Sequence, residues 1–242
     1  MRIAIHQPHY FPWIGYFDKM AKADAFVLLD EVQFEKGSPM IRNRVLDTKG
    51  EIKYLTISGD TGDFLNRKYN ELAAKDIDIC FPKQMNMLKN YYHKAAYKNE
   101  ILPILEEFFQ RGYPTICQWT CGSIELIREL FEIKTPIIYQ SSIDYDRERK
   151  RSDLVYAICE AMGANGYLSG RGASMRYLKR EEFSDSGIQI QFQDFSHPQY
   201  QQINTAEFVA GVSVLDMLFN CGIKESKRIF WENVSLADSS LE

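Results

Sequence analysis

The stretch His6-Gln7-Pro8-His9-Tyr10-Phe11-Pro12-Trp13 concentrates groups able to hold or move a proton, and two prolines stiffen the backbone between them. An unperturbed pKa of about 6.5 suits a histidine to general-base work, or to steadying a phosphate near neutral pH. His6 is therefore a candidate base. Gln7, Tyr10 and Trp13 are candidate substrate contacts, because aromatic faces can stack on a sugar or a nucleobase. A plain hydrogen-bonded core histidine is the alternative that the pattern leaves open.

A second constellation runs from Asp30 through Gln33 to Lys36 and on to Arg42-Asn43-Arg44. Asp30 is a second candidate base, and Gln33, Lys36, Arg42, Asn43 and Arg44 are candidate substrate contacts. Arg42 and Arg44 alternate, so on a strand they share one face, where two planar guanidinium forks suit a phosphate or a carboxylate. The competing reading is a solvated edge strand whose charge resists aggregation. A third signal is Leu168-Ser169-Gly170-Arg171-Gly172-Ala173. Backbone amides freed by such a turn can hold an anion, with Arg171 adding charge, so Ser169, Gly170 and Arg171 join the candidates. Only Gly170 and Gly172 fit a dinucleotide fingerprint, which leaves that chemistry unsupported. His197, beyond the next strand, can reach the same edge from another loop, whereas His93 sits in a tyrosine-rich helical stretch and reads as surface or packing. His6 and His9 also form an H-x-x-H spacing that resembles the phosphate-binding loop of nucleotidylyltransferase-like folds, without its glycine and without a downstream lysine-serine signature.

The elements that must position these groups follow from periodicity. Arg2 to Ile5 is a short apolar strand, Gly15 to Ala23 a helix, and Ala25 to Leu29 a strand ending at Asp30. A right-handed β-loop-α-β unit places the first loop and Asp30 at one carboxyl edge, where open α/β sheets bind ligands. On that reading His6, Gln7, Tyr10, Asp30, Lys36, Asn43 and Arg44 line one pocket. Arg42 to Leu46 and Ile52 to Ile57 flank Asp47-Thr48-Lys49-Gly50 as a hairpin, with Gly50 in the left-handed turn position. Phe81 to Ala96, Glu100 to Phe109 (Pro103 in its first turn) and Thr115 to Phe131 have helical spacing and form a layer or insertion at about 81–131. Strands at Ile137 to Tyr139, Gly166 to Leu168 and Ile188 to Phe192, with a helix at Asp153 to Met162, resume the alternation. A helix from Thr205 to Phe219 stops at Gly222, and the polar residues after Trp231 fray. The expected fold is a single α/β domain over 1–242: a Rossmann-like, mostly parallel sheet with a helical insertion or layer.

Composition narrows the classes further. With 45% hydrophobic and 26% charged residues the 242-residue chain is globular in type, and 29 basic against 33 acidic residues give no global field for nucleic acid. No apolar run is long enough to span a membrane, and the first ten residues lack the apolar run of a signal sequence, so a cytoplasmic protein without an integral membrane segment is expected. The five cysteines show no C-x-x-C spacing. Cys117 and Cys121, four apart on a helix, are expected to be buried thiols and not metal ligands.

Taken together these motifs resemble the WbqC-like protein family. Its opening H-Q-P-x-Y-F-P-W-x-G-Y-F-x-K segment matches His6 through Lys19, its D-x-V-Q-F/Y-x-K stretch Asp30 through Lys36, and its N-R pair Asn43 and Arg44. Tyr167 to Gly170, Phe192 to Gln202 and Leu215 to Gly222 match later motifs. Ala173 stands where a second glycine is expected in the S-G-x-G-G turn. The resemblance implies a transferase that attaches glycine or another acyl group to an amino sugar in bacterial surface-polysaccharide (lipopolysaccharide, O-antigen) biosynthesis. It further implies small-molecule partners, a sugar nucleotide and an activated acyl donor, and it names no cofactor. An ATP-dependent amide-forming ligase and a noncatalytic subunit of a glycan-synthesis complex are the alternatives.

Overall fold

The computed structural model describes residues 1–172 and 174–238, so Ala173 lies outside the described residues. Five strands form a parallel sheet: β1 (Arg2–His6), β2 (Ala25–Leu28), β5 (Ile137–Tyr139), β6 (Gly166–Ser169) and β7 (Gln189–Phe192), in the order β5-β2-β1-β6-β7. The chain builds outward from β1 to β2 and β5, then returns to β1's free side for β6 and β7. Strand order therefore reverses between β1 and β6, the place where an open α/β sheet forms a ligand crevice at its carboxyl edge.

Alternation along the strands divides the core. Ala4, Phe26, Leu28 and Leu168 face α1 (Ile14–Ala21), α4 (Ile116–Leu130) and α8 (Val214–Asp238), while Ile3, Ile5, Val27 and Tyr167 face α5 (Ser152–Ala161) and α7 (Arg180–Asp185). The short α6 (Ser174–Tyr177) lies between β6 and α7. Both faces are thus covered, and the inner strands β1, β2 and β6 are buried along both sides as a parallel sheet requires, whereas edge strand β7 exposes Gln189 and Gln191.

The connection from β2 to β5 carries an antiparallel hairpin of its own, β3 (Arg42–Leu46) and β4 (Ile52–Thr56), then α2 (Ile77–Tyr91), α3 (Lys98–Phe109) and α4. Gly50 supplies the positive φ of +78° at the hairpin turn, and Asp47 Oδ1 accepts from the backbone N–H groups of Lys49 and Glu51. The expected helix at Phe81 to Ala96 starts and ends earlier, and Pro103 falls in the second turn of α3, whose start at Lys98 precedes the predicted one.

The expected helix from Thr205 to Phe219 is corrected most. Residues 199–213 form irregular chain, and α8 begins at Val214 because Gly211 turns the backbone at φ +70° and Ser213 Oγ accepts from Leu215 N. Gly222 interrupts α8 at φ +73° as a helix stop should, yet a second helical segment follows it to Asp238. The polar residues past Trp231 are therefore helical, with Arg228 paired to Glu232 one turn on. What holds the irregular segment is Asp216, 1% exposed, which accepts from Tyr92 Oη at 2.8 Å, Tyr200 Oη at 2.9 Å and Gln202 Nε2 at 2.9 Å.

Asp216→Ala leaves the Tyr92 and Tyr200 hydroxyls without this acceptor and Gln202 Nε2 with Val209 O alone. Urea denaturation is expected to show a loss of about 2 to 4 kcal/mol, the scale of uncompensated buried polar groups. A loss under about 0.5 kcal/mol, the level of an ordinary surface change, would remove Asp216 from the framework.

Candidate active site at the carboxyl edge

The loop after β1 is pinned at nearly every peptide. Tyr10 N donates to Pro39 O, Phe11 N to Ser123 Oγ, and Val214 N to Pro12 O. Asn43 Nδ2 donates to Tyr10 O and Phe11 O at 3.1 and 2.8 Å, and Ser213 Oγ also donates to Phe11 O. Phe11 sits at φ +38°, a conformation that a non-glycine residue holds only when its surroundings dictate it. One expected substrate contact, Tyr10, is thereby reassigned: it is fully buried and donates to Gln84 Oε1, because its ring follows the chain into the core. Asn43 is buried and its amide holds the loop, while the residue also lines the cavity beside Arg42 and Arg44.

The cavity that this loop shapes, of about 290 Å³, is lined by His9, Trp13, Arg42, Arg44, Tyr54 and the backbone of Gly211 among others. Arg42 lies 4.5 Å over the Tyr54 ring, and Arg44 donates to Gly211 O at 2.6 Å. Among the described residues neither guanidinium has a carboxylate partner, so both keep donors for an anion. Trp13 forms one wall. Its ring lies over Gly15, where a Cβ would come within 2.3 Å of it, and the Phe195 and His197 rings pack against it.

Behind that wall stand His6, Tyr16 and Lys19. The His6 ring meets His9 and Tyr16 with centroids 4.7 Å apart in each case, and His9 lies 5.3 Å from Tyr16. His6 Nδ1 donates to Gln7 O at 2.9 Å, which fixes the tautomer with its lone pair on Nε2. Gln7 thus contributes its carbonyl, which also accepts from Tyr16 Oη. Lys19, 3% exposed, donates to Ile5 O at 2.8 Å. Burial pushes the Lys19 amine down to about 7, and burial together with the charge of Lys19 holds His9 at about 4. His6 is lowered well below its ordinary value by burial, then by His9 and Lys19, against the hydrogen bond to Gln7. Both imidazoles are neutral at pH 7 and can take up a proton.

The remaining candidates do not share this cavity. Asp30 faces a different one, of about 450 Å³, with Tyr139, Cys117 and Cys121, and its carboxylate accepts from Ser141 N and Oγ at 2.9 and 2.7 Å. The single pocket expected for His6, Asp30 and the arginines is therefore two cavities, because the Asp30 side chain turns towards β5 and α4. Gln33 and Lys36 are exposed on a surface loop, Gln33 bridged to Lys68 and Lys36 4.9 Å over the Phe64 ring. Ser169 is buried and bonded to Ser174 Oγ, Gly170 accepts from Ser174, and exposed Arg171 pairs with Asp194 at 3.2 Å, so that turn binds itself. His197 reaches the site only through Trp13; its Nδ1 donates to Pro198 O, and its Nε2 is buried without a partner. Cys117 and Cys121 are buried with sulfurs 3.8 Å apart. Among the described residues no group of three or more metal-ligating side chains is arranged to hold an ion.

Sequence reasoning passed over His9 as a site residue, and Tyr16, Lys19 and Tyr54 altogether. The available signal for Lys19 was its place at the end of the motif that begins at His6, with Tyr16 three residues before it; for Tyr54 it was the cross-strand position opposite Arg44. Comparison with known proteins adds the following. The model of the WbqC-like protein family matches residues 7–228. An uncharacterized protein of Mycobacterium tuberculosis, Rv1507c, is 26% identical over 223 residues, covering 91% of this chain and 94% of its own. No solved structure matches the chain. No helix among the described residues is long and apolar enough to cross a membrane.

The basic cluster generates a pH signature. An unfolded lysine titrates near 10.4 and Lys19 near 7, so between those values the unfolded chain binds a proton that the folded chain lacks, and stability rises with pH. From pH 6.5 down to about 4 the same reasoning for His9 makes stability fall as acid is added. Lys19→Met is expected to abolish the alkaline rise and to raise the His9 pKa, read by urea unfolding across pH and by histidine NMR titration. Unchanged slopes would return Lys19 to the ordinary lysine range.

Proposed function

The chain belongs to the WbqC-like protein family, and we propose that it is a transferase attaching glycine or another acyl group to a nucleotide-linked amino sugar in the building of bacterial surface polysaccharide. The observation that carries this reading is the pair of guanidiniums, free of carboxylate partners among the described residues, that line a cavity beside the neutral His9. Arg42 and Arg44 hold the diphosphate, and Trp13 and Tyr54 offer aromatic faces to sugar or base. The amine nitrogen attacks the activated carbonyl carbon, and the carbon–oxygen double bond opens to an oxyanion stabilised by the nearby cations. His9 takes the proton that the nitrogen must lose, and the bond to the leaving group breaks as the amide forms. His6 and Tyr16 position the His9 ring, and burial together with the Lys19 charge keeps both imidazoles in the neutral form.

One observation favours a second reading, an ATP-dependent amide-forming ligase. The two histidine rings touch in the loop after β1, next to the point where strand order reverses, a place suited to nucleotide phosphates. The two differ in products: a ligase consumes ATP and releases AMP or ADP, whereas transfer from a preactivated donor does not.

Arg44→Ala is expected to weaken sugar-diphosphate binding by about 1.5 to 3 kcal/mol in calorimetry, the range for charge-assisted hydrogen bonds. His9→Gln, which keeps hydrogen bonding and removes the base, is expected to lower turnover by about 10² to 10⁴ with little change in melting temperature, and His6→Asn by less. Unchanged diphosphate affinity in Arg44→Ala, with the fold intact, sinks the anion site and the reading built on it.

A further inference from the structure

We infer that the second carboxyl-edge cavity, the one lined by Asp30, Asn70, Glu125 and Tyr139, is a binding site for a primary ammonium group, that of an amino sugar or an activated amino acid. Its volume of about 450 Å³ falls in the range of small-molecule sites. No lysine or arginine lines it. Asp30 is only 5% exposed, and among the described residues it has no cationic partner; Ser141 fixes both carboxylate oxygens in place but adds no positive charge. A buried carboxylate supported by neutral donors alone leaves a charge that a cationic ligand can complete. Glu125 shares its charge with Arg128 at 2.8 Å, so Asp30 is the stronger attractor.

Asn70 supplies the independent observation: its Oδ1 is buried and, among the described residues, has no hydrogen-bond partner. Acceptors of this kind suit the N–H groups of an ammonium and the hydroxyls beside it. The walls agree. Tyr113 packs so closely on α4 that a Cβ at Gly122 would lie 2.7 Å from its ring, and with Tyr139 it offers aromatic faces to a cation. The Cys121 thiol is pushed well up by Cys117, by burial and by the negative charges of Asp30 and Glu125, so the floor stays an uncharged thiol and the field there is negative.

The ammonium held here is not the nitrogen that reacts beside His9, and the inference rests on the proposed function only in the class of the ligand, an amino compound. Calorimetry with glucosamine against N-acetylglucosamine, and with glycinamide against N-acetylglycinamide, removes the ammonium charge within each pair, and the two pairs stand for a sugar source and an amino-acid source. Glucosamine or glycinamide is expected to bind at least tenfold more tightly than its partner compound, and whichever does so identifies the source. Asp30→Asn, which keeps a hydrogen-bonding side chain, is expected to erase that preference, and Asn70→Leu to lower affinity severalfold without removing the charge preference. Equal affinity of the charged and neutral compounds, or an unchanged preference in Asp30→Asn, overturns the inference. Inorganic pyrophosphate titrated into the same proteins keeps the two claims apart: its binding should survive Asp30→Asn and fail in Arg44→Ala. In the unmodified protein, absent amine selectivity with intact pyrophosphate binding defeats this inference alone, whereas amine selectivity without pyrophosphate binding defeats the proposed arginine site alone.

Discussion

The site depends on the fastening of one strained peptide, Phe11, at the centre of the loop after β1. A φ of +38° costs a phenylalanine about 1 to 3 kcal/mol, so the loop keeps this shape only if its backbone groups are better satisfied here than elsewhere. They are: Ser123 from α4 accepts from the N–H, and Asn43 from β3 and Ser213 at the head of α8 donate to the carbonyl. Three elements far apart in sequence converge on one residue. The Phe11 ring, buried against Phe108 and Phe109 of α3, fixes the peptide from the other side. Because the prolines on either side limit the backbone, fastening this one point sets His9 and Trp13 as well.

The same fastening explains why the hairpin has a place in the molecule. Among the described residues β3 and β4 form no ladder with the parallel sheet, yet Asn43 ties β3 to the loop and lines the cavity together with its neighbours Arg42 and Arg44. The Arg44 carbonyl also accepts from Ser213 N, joining β3 to α8. A cationic residue and its structural neighbour thus travel as one unit, and neither can be moved without disturbing the other.

The parallel sheet and its helical layer were legible because continuous apolar runs and three-to-four spacing are strong signals, as in Ala25 to Leu28 and Ile116 to Leu130. The late start of α8 was not. Phe208 and Val212 carry a helical spacing by chance, and only the buried Asp216 network and Gly211 reveal that the chain ahead of Val214 is irregular. Arg42 and Arg44 could be read from alternation as one face of a strand. The inward turn of Tyr10 could not, because a loop with two prolines has no periodicity from which side-chain direction follows. Asp30 was placed at the correct edge, but the edge of a five-stranded sheet is wide enough for more than one cavity, and sequence carries no measure of that width. Lys19 escaped notice because a lysine on a helix ordinarily faces water; only the three-dimensional burial makes it chemically distinct.

Parallel strands deliver every loop to one edge, which creates an electrostatic difficulty for a site needing free charges of both signs. In a low-dielectric setting Asp30 and the two arginines would pair if they could reach each other, and a paired guanidinium has fewer donors left for a ligand. A neutral layer separates them here. Tyr16 lies against His6 and His9, the latter in the arginine cavity, and its hydroxyl is held un-ionised by burial and by Cys121, Cys117 and Tyr139, all of which line the Asp30 cavity. The histidines are neutral because burial and Lys19 disfavour their protonation. Lys19 thus acts against a third charge in the dividing layer, and the layer's neutrality keeps the cationic cavity and the acidic one from quenching each other.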